Sequence, residues 1–144
     1  MRINGEWLLC DDGVVRPVMR ARLLSSGGDW LVTEFLLDTG ADRTVFNART
    51  LHKLGLPSLE TEDEISGLGG VTSSVVIETK LNLLRDDGAA VIFTSRFTAV
   101  IDPTALDFCI LGRDLLDLFS VIIDRAGEVV CLLSQRHRYA IIQE

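Results

Sequence analysis

Apolar and polar residues alternate in short runs along the chain, and turn sequences separate the runs. This arrangement is typical of an all-β protein, in which one face of each strand is buried. The runs predict strands over residues 7–10, 14–24, 30–37, 75–84, 89–100, 120–124 and 128–133. The sharpest turn sequences are Asp11-Asp12-Gly13, Asp86-Asp87-Gly88 and Arg125-Ala126-Gly127. A last apolar stretch over residues 139–142 is a candidate terminal strand.

Two short helices are predicted between the strands. Asn47 can cap a helix over residues 48–54, and Gly55 is a suitable residue for its C-terminal end. A second helix is expected over residues 113–119, directly after Gly112. We find no internal repeat, low-complexity stretch or linker. The pattern therefore predicts one all-β domain over residues 1–144, a sandwich or a barrel with one or two short helices.

Composition narrows the range of partners. The 144 residues include fourteen Lys and Arg against twenty-one Asp and Glu, which gives a net charge of -7. An acidic chain without a basic cluster repels phosphate, so we expect neither a nucleic acid nor a membrane surface as partner. Residues 1–12 do not resemble a signal peptide, and no apolar run is long enough to span a bilayer.

The three cysteines do not form a recognisable framework. Cys10, Cys109 and Cys131 are odd in number and widely spaced, which fits neither a set of disulfides nor a zinc site. We interpret them as small apolar thiols in a reducing compartment and expect a cytoplasmic protein.

The segment Leu36-Leu37-Asp38-Thr39-Gly40-Ala41-Asp42 carries the candidate chemistry. Asp38 ends an apolar strand, where a lone carboxylate is costly to bury unless it is neutralised or hydrogen-bonded. Gly40 permits a sharp turn that directs backbone N–H groups at this carboxylate, and the Thr39 hydroxyl can donate and accept. Either Asp38 only caps a turn, or it is a catalytic carboxylate.

A second segment, Ile110-Leu111-Gly112-Arg113-Asp114, favours the catalytic interpretation. An apolar strand entering Asp-Thr-Gly-Ala, followed later by two apolar residues, Gly and Arg before a helix, resembles the retropepsins, the retroviral-type aspartic proteases. The resemblance covers about residues 31–119. It implies a closed, single-lobed acid-protease barrel, in which Gly112 and Arg113 support the site and Arg113 pairs with Asp42 of the same subunit.

The resemblance also implies a glycine-rich flap over the substrate. Its residues here are Ile65, Ser66, Gly67, Leu68, Gly69, Gly70 and Val71. A plain hairpin tip fits the same residues, and only their position between the two stronger motifs favours a flap. With the flap, Ala41, Asp42 and Ile110 are expected to contact substrate, although Ile110, Val45 and Ile65 are equally suited to the core.

The chemistry requires two carboxylates that share one proton, so that one acts as acid and the other as base towards a water molecule. The chain has one Asp-Thr-Gly and no Asp-Ser-Gly. The second carboxylate must then be Asp38 of another copy, which predicts a homodimer that cleaves peptide or protein substrates. No metal or organic cofactor is needed, because the two carboxylates activate the water.

Ala41 bears on the pH at which such an enzyme works. A serine at this position would offer a hydroxyl to the ionised pair, and Ala41 offers none. We therefore expect an activity optimum in mildly acidic to neutral conditions, and an optimum below about pH 3 would contradict this.

Two other functions stay open at this level. A non-catalytic dimerisation or peptide-binding module with the same fold would keep Asp38 as a buried structural pair, which is harder to justify energetically. A zymogen-like protein would assemble only with substrate or after trimming near Met1. His52 and His137, the two histidines, have no suitable nucleophile partner, so a catalytic triad is disfavoured.

Overall fold

The predicted all-β fold is confirmed in a computed structural model, which describes residues 1–67, 70–134, 140 and 142–143. The strands are β1 (Arg2–Asn4), β2 (Glu6–Leu9), β3 (Val15–Leu24), β4 (Trp30–Leu37), β5 (Val45–Phe46), β6 (Glu60–Gly67), β7 (Gly70–Leu84), β8 (Ala90–Val100), β9 (Cys109–Leu111), β10 (Phe119–Asp124) and β11 (Val129–Ser134). The helices are α1 (Ala48–Leu54) and α2 (Arg113–Leu116). Neither helix in this part of the chain is long and apolar enough to cross a membrane.

The larger sheet has eight strands in the order β2-β3-β4-β9-β5-β8-β7-β6. It closes on itself because β3 also pairs with β7, through Arg22–Asn82 and Leu23–Leu81. The strands from β3 round to β7 thus form a ring, with β2 and β6 outside it. Since closure depends on these two residue pairs, the barrel is irregular.

Aromatic rings fill the middle of the barrel. The ring of Phe46 packs edge-on against Phe35 at 5.7 Å and stacks on Phe97 at 5.1 Å between centroids. All three residues are buried in one hydrophobic cluster with the inward side chains of the strands. The strand that ends at Asp38 therefore rests on well-packed core.

The N-terminal residues belong to this fold. β2 pairs with β3, while β1 pairs with β11 in a separate sheet of order β1-β11-β10. Ile3 in β1 is 1% exposed, so the first strand contributes to the core. The Trp7 indole donates to the Asp124 carbonyl at 3.1 Å and lies under the Arg125 guanidinium. Trimming near Met1 would remove packed structure.

Most of the strands predicted from the sequence, and the whole of α1, are confirmed. The prediction was less accurate for short segments. α1 begins at its Asn47 cap and ends at Gly55, which has a positive φ of 63°. The prediction of a helix over residues 113–119 was too long, because α2 ends at Leu116 and Phe119 already pairs with Ser134 in β11. β1, β5 and β9 were missed, since two or three residues show no period, and β6 was not among the predicted strands because its sequence is mostly polar. Of the candidate strand over residues 139–142, the described residues 140 and 142 are not in a strand, and the others lie outside the described residues.

Candidate active site

Asp38 follows β4 directly, at the point where this strand leaves the core. β4 runs parallel to β9, with Leu37 beside Leu111, and the Asp38 N–H continues the pairing by donating to the Leu111 carbonyl at 3.1 Å. Leu37 is buried, whereas Asp38 is half-buried. The carboxylate is thus fixed at its base by two core strands while it keeps access to solvent.

Gly40 holds the carboxylate from the other side. Its N–H donates to Asp38 Oδ1 at 2.9 Å, and the Ala41 N–H donates to the Asp38 carbonyl at 3.2 Å. A Cβ on Gly40 would lie 3.2 Å from Asp38 Oδ1, closer than ordinary van der Waals contact. Glycine therefore lets the backbone approach the carboxylate, as its place in the motif suggested. Thr39 is exposed beside it.

The loop that starts at Asp38 is joined to α2 along its backbone. Arg113 N–H donates to the Ala41 carbonyl at 2.8 Å, and Asp114 N–H donates to the Asp42 carbonyl at 3.1 Å. Arg113 also forms an ion pair with Asp42, the contact that the retropepsin resemblance implies. Both side chains are largely exposed, so we attribute the positioning of the loop mainly to the backbone bonds.

Gly112 allows this close approach of the two segments. A Cβ on Gly112 would lie 2.4 Å from both the backbone carbon and oxygen of Arg43, which is a severe clash with backbone. The N–H of Gly112 donates to the Thr44 hydroxyl at 3.2 Å. Gly112 is therefore required by packing against the loop.

Thr44 and Asp114 complete the support, and the sequence reasoning missed both. One carboxylate oxygen of Asp114 accepts from the Thr44 N–H at 2.9 Å and from its hydroxyl at 2.7 Å. Thr44 is 1% exposed, so these bonds satisfy polar groups that water cannot reach. A polar residue directly before the apolar pair Val45-Phe46 was the available signal, together with an acidic residue in the first turn of a helix that lacks a side-chain cap.

Behind the site, α1 is tied to β9 through Cys109. The Cys109 thiol donates to the Thr50 hydroxyl at 3.2 Å and accepts from the Asn47 N–H at 3.4 Å. Burial raises the pKa of this thiol, so it stays protonated and has a structural role. Cys10, Cys109 and Cys131 are all free of disulfides.

The predicted flap coincides with the hairpin of β6 and β7. The two strands pair through Ile65–Thr72, Ser66–Val71 and Gly67–Gly70. Leu68 and Gly69, the tip of the predicted flap, lie outside the described residues, as do the side chains of Ile65 and Val71. The backbone therefore provides a hairpin in the expected place, and its role as a flap stays a prediction.

The candidate substrate-contacting residues differ in exposure. Val45 is buried beside Ile110, with which it pairs, and belongs to the core. Ile110 and Ala41 are half-buried, and Asp42 is exposed. Ile110, Ala41 and Asp42 all lie in or beside the segments that hold the Asp38 loop, and their contact with substrate stays a prediction.

Other sites in the described residues are poorly developed. No group of three or more His, Cys, Asp or Glu among the described residues is arranged to hold a metal ion. Two shallow depressions of about 170 and 200 Å³ lie elsewhere, the first beside Glu6 and Arg20 and the second beside Leu24 and Lys80. Both are smaller than the roughly 300 Å³ usual for a small-molecule site. The Asp38 loop remains the best candidate site.

The fold and this site define a class: single-lobed, all-β proteins that carry one Asp-Thr-Gly loop braced by a Gly-Arg helix. A family model described as retroviral aspartyl protease matches residues 14–124. The chain belongs to this family.

Two solved structures have a similar fold. The EIAV protease in complex with the inhibitor HBY-793 has 23% identity and a TM-score of 0.51, over 71% of this chain and 86% of that one. A retropepsin-like aspartic protease from Rickettsia conorii has 18% identity and a TM-score of 0.55, over 92% and 88%. At these identities the likeness supports the fold alone. None of the curated proteins compared with the chain matches it.

Proposed function

We propose that two copies of this chain form an aspartic endopeptidase, in which Asp38 of each copy supplies one carboxylate of the catalytic pair. The observation that carries the proposal is the placement of Asp38. Its carboxylate accepts a bond from Gly40 at the end of a core strand, and backbone bonds to α2 brace the loop that follows. A carboxylate held in this way, but half-exposed in one subunit, suits a shared site better than a buried structural pair.

The proposed reaction is the addition of water to a peptide bond. One Asp38 carboxylate takes a proton from the water, whose oxygen bonds to the scissile carbonyl carbon. The protonated Asp38 of the other copy hydrogen-bonds the developing oxyanion. Collapse of the tetrahedral intermediate breaks the C–N bond, and a carboxyl proton moves to the leaving amine. Each Asp38 thus acts as acid and base in turn.

The other loop residues have supporting roles in this scheme. Thr39 and Gly40 keep the two loops close and direct the carboxylates, while Arg113 and Gly112 fix the loop to α2. The hairpin of β6 and β7 would cover an extended peptide and exclude water. We place the enzyme in a reducing compartment such as the cytoplasm, because its three cysteines are free.

The test is cleavage of a denatured protein and of a peptide library across pH, at several enzyme concentrations. We expect Asp38→Asn to lower the rate by at least about 10³-fold, because the amide cannot act as base. Asp11→Asn, in an exposed turn, is the matched control and should keep full activity. The wild-type rate should rise faster than linearly with concentration and peak in mildly acidic to neutral conditions.

Two outcomes would contradict the proposal. Equal cleavage by wild type and Asp38→Asn would remove Asp38 from the chemistry. Absence of cleavage by a demonstrated dimer, over all substrates and pH values, would favour the non-catalytic dimerisation or peptide-binding module instead.

A further inference from the structure

The short pairing of β3 with β7, which closes the barrel, places four residues in one row across four strands. We call this set the seam row, and its members in order from β4 to β8 are Val32, Arg22, Asn82 and Ile92. Leu23 and Leu81, one position along β3 and β7, are fully buried in the core. Because successive residues of a strand point to opposite faces, the seam row lies on the outer face of the barrel.

Both ends of the seam row are apolar and exposed. Val32 is 68% exposed and Ile92 is 50% exposed. Trp30, two residues before Val32 and on the same face, is partly exposed as well. Exposed apolar residues that are scattered singly are ordinary, whereas a group of them on one face marks an interaction site. The outer face therefore offers apolar surface on either side of its middle.

The middle of the seam row is polar, and its hydrogen bonding is incomplete. Asn82 is 6% exposed, and its Oδ1 atom has no hydrogen-bond partner among the described residues. The Nε atom of Arg22, directly across from Asn82, is also buried and has no partner there. Polar atoms that water cannot reach are nearly always bonded in folded proteins. These two atoms thus indicate that a polar group from outside the chain belongs between the strands.

Positive charge at this place is uncompensated. Arg20, two residues before Arg22 on the same face, lies 2.9 Å from Glu6 and 3.6 Å from Glu34. In the part of the chain that the structure describes, neither Arg22 nor Lys80 forms an ion pair. The whole chain has a net charge of -7, so two free cations side by side are unusual in it. A carboxylate is the group that complements them.

A second copy of the chain is disfavoured as the source of this carboxylate. A two-fold contact through the seam row would bring Arg22 and Lys80 of both copies to the same place. Like charges that meet in this way are destabilising. A different polypeptide, with a negative charge of its own, fits the face better.

The depression beside the seam row also favours a polypeptide. It has a volume of about 200 Å³ and is lined by Leu24, Lys80 and Thr94 among others. Leu24 follows Arg22 by two residues, so it belongs to the same face. The depression is too small for a typical small molecule but has room for a single side chain.

The spacing of the seam row defines the segment that fits it. Neighbouring strands lie about 4.8 Å apart, so three steps separate Val32 from Ile92 by about 14 Å. An extended segment advances about 3.3 Å per residue, which puts residues i and i+4 about 13 Å apart on one face. A helix puts them about 6 Å apart and does not match. The matching pattern is apolar at i, acidic at i+2 and apolar at i+4.

We infer that the seam row binds an extended, acidic segment of another polypeptide with this pattern. Arg22 and Lys80 bind the carboxylate, and Val32 and Ile92 contact the two apolar side chains. The inference is independent of the proposed function. Val32 lies six residues before Asp38 along β4, about 20 Å away, so this surface is separate from the candidate active site.

A peptide titration followed by NMR tests the inference. The probe is the capped peptide Ser-Leu-Thr-Glu-Thr-Val-Ser, added to the full, ¹⁵N-labelled chain, with mass spectrometry to check that it stays intact. We expect shifts of the seam-row amides and of the Trp30 indole N–H. The dissociation constant should be at least about tenfold lower than for the peptide with Lys in place of Glu. High salt should weaken the binding.

Variants locate the binding. We expect Arg22→Gln to raise the dissociation constant of the Glu peptide at least about tenfold, because its carboxylate loses a cation. Arg96→Gln is the matched control: it removes the same charge from β8, where Arg96 lies 3.9 Å from Glu78, and should leave the affinity unchanged. Val32→Ser changes a side chain that is 68% exposed, so it should keep the fold in circular dichroism and still weaken the binding.

Several outcomes would overturn the inference. These are no binding of the Glu peptide, equal binding of the Lys peptide, or wild-type affinity in both Arg22→Gln and Val32→Ser. Shifts confined to the Asp38 loop would also overturn it and would leave the proposed function standing. Self-association in sedimentation that Val32→Ser abolishes would assign the face to a second copy instead. Binding at the seam row by a chain that cleaves nothing would support the inference and contradict the enzyme.

Discussion

The Asp38 loop and the sheet β1-β11-β10 are two parts of the molecule that are held in different ways. Long-range bonds fix the loop: Thr44 and Asp114 are 70 positions apart in sequence, and Arg113 and Asp42 are 71 apart. The sheet is built mainly from a local hairpin, β10–β11, to which β1 adds one further strand. Among the described residues, the loop is bonded to β9 and α2 of the same chain, whereas β10 pairs with β11 alone.

This difference indicates which part of the proposed site one copy of the chain can build alone. The chain holds the Asp38 loop by its own backbone bonds, and a loop must be rigid before it can direct a carboxylate. Under the proposed function, the assembly of two copies, rather than the folding of the loop, would limit activity.

The largest loss of stability is expected from Gly112→Ala, which disturbs the contact between α2 and the Asp38 loop. The new Cβ would meet Arg43 backbone at 2.4 Å, and backbone cannot move aside as a side chain can. We expect a loss of about 3–5 kcal/mol in the free energy of unfolding, or failure to fold, because the clash also separates α2 from the loop. Urea denaturation of the purified protein measures this loss.

Gly27→Ala is its matched control. The nearest atom to a Cβ at Gly27 is an Asp29 carboxylate oxygen at 3.7 Å, which is ordinary contact, so we expect little change. Equal stability of the two variants would mean that the loop and α2 are not held as closely as described here.

A smaller loss of stability is expected from Trp7→Phe, which removes a hydrogen bond to the end of β10. The indole N–H donates to the Asp124 carbonyl at 3.1 Å, and the ring lies 5.4 Å from the Arg125 guanidinium. Phenylalanine keeps most of the packing but loses the donor, so we expect a destabilisation of about 1 kcal/mol. The hairpin end of β10 should also exchange its amide hydrogens faster, which mass spectrometry can follow.

Trp30→Phe is the control for this change, because Trp30 lies at the partly exposed start of β4. If amide exchange in β10 is unchanged in Trp7→Phe, the N-terminal residues do not brace the hairpin.

The smallest loss of stability is expected from a change outside both regions, in the turn between β2 and β3. The Arg16 guanidinium, with a shortest contact of 2.6 Å, and the Val14 N–H lower the pKa of Asp12 from 3.8 to about 2. A carboxyl whose pKa is lower in the folded state stabilises the protein above the unfolded value, and this contribution disappears as pH falls through the folded value. Asp12→Asn should therefore lower the melting temperature slightly at pH 6.

The difference between Asp12→Asn and wild type should shrink between about pH 4 and pH 2. Because the pair is exposed, we expect the effect to weaken in high salt as well. A melting-temperature difference that persists unchanged at pH 2 would show that Asp12 acts through something other than its charge.

Part of the candidate site could be predicted from the sequence because local chemistry singles out its residues. Asp38 at the end of an apolar strand and Gly40 beside it were noticed from local chemistry, whereas the Gly112-Arg113 pair before a helix was noticed through the resemblance to the retropepsins. Thr44 and Asp114 were not predicted, because their importance comes from a contact between segments far apart in sequence. The short strands β5 and β9 were not predicted for a related reason, since they are stabilised by neighbouring strands and show no period of their own.

The sequence by itself determined the all-β class, the cap and end of α1, the main turns and the position of the candidate carboxylate. These follow from side-chain periodicity and backbone preferences, which act over a few residues. The tertiary structure alone decided that α2 stops at Leu116, that the N-terminal strands complete two sheets and that β10 is left at an edge. Each of these depends on which distant strand offers hydrogen bonds and apolar surface, and only the folded chain brings those groups together.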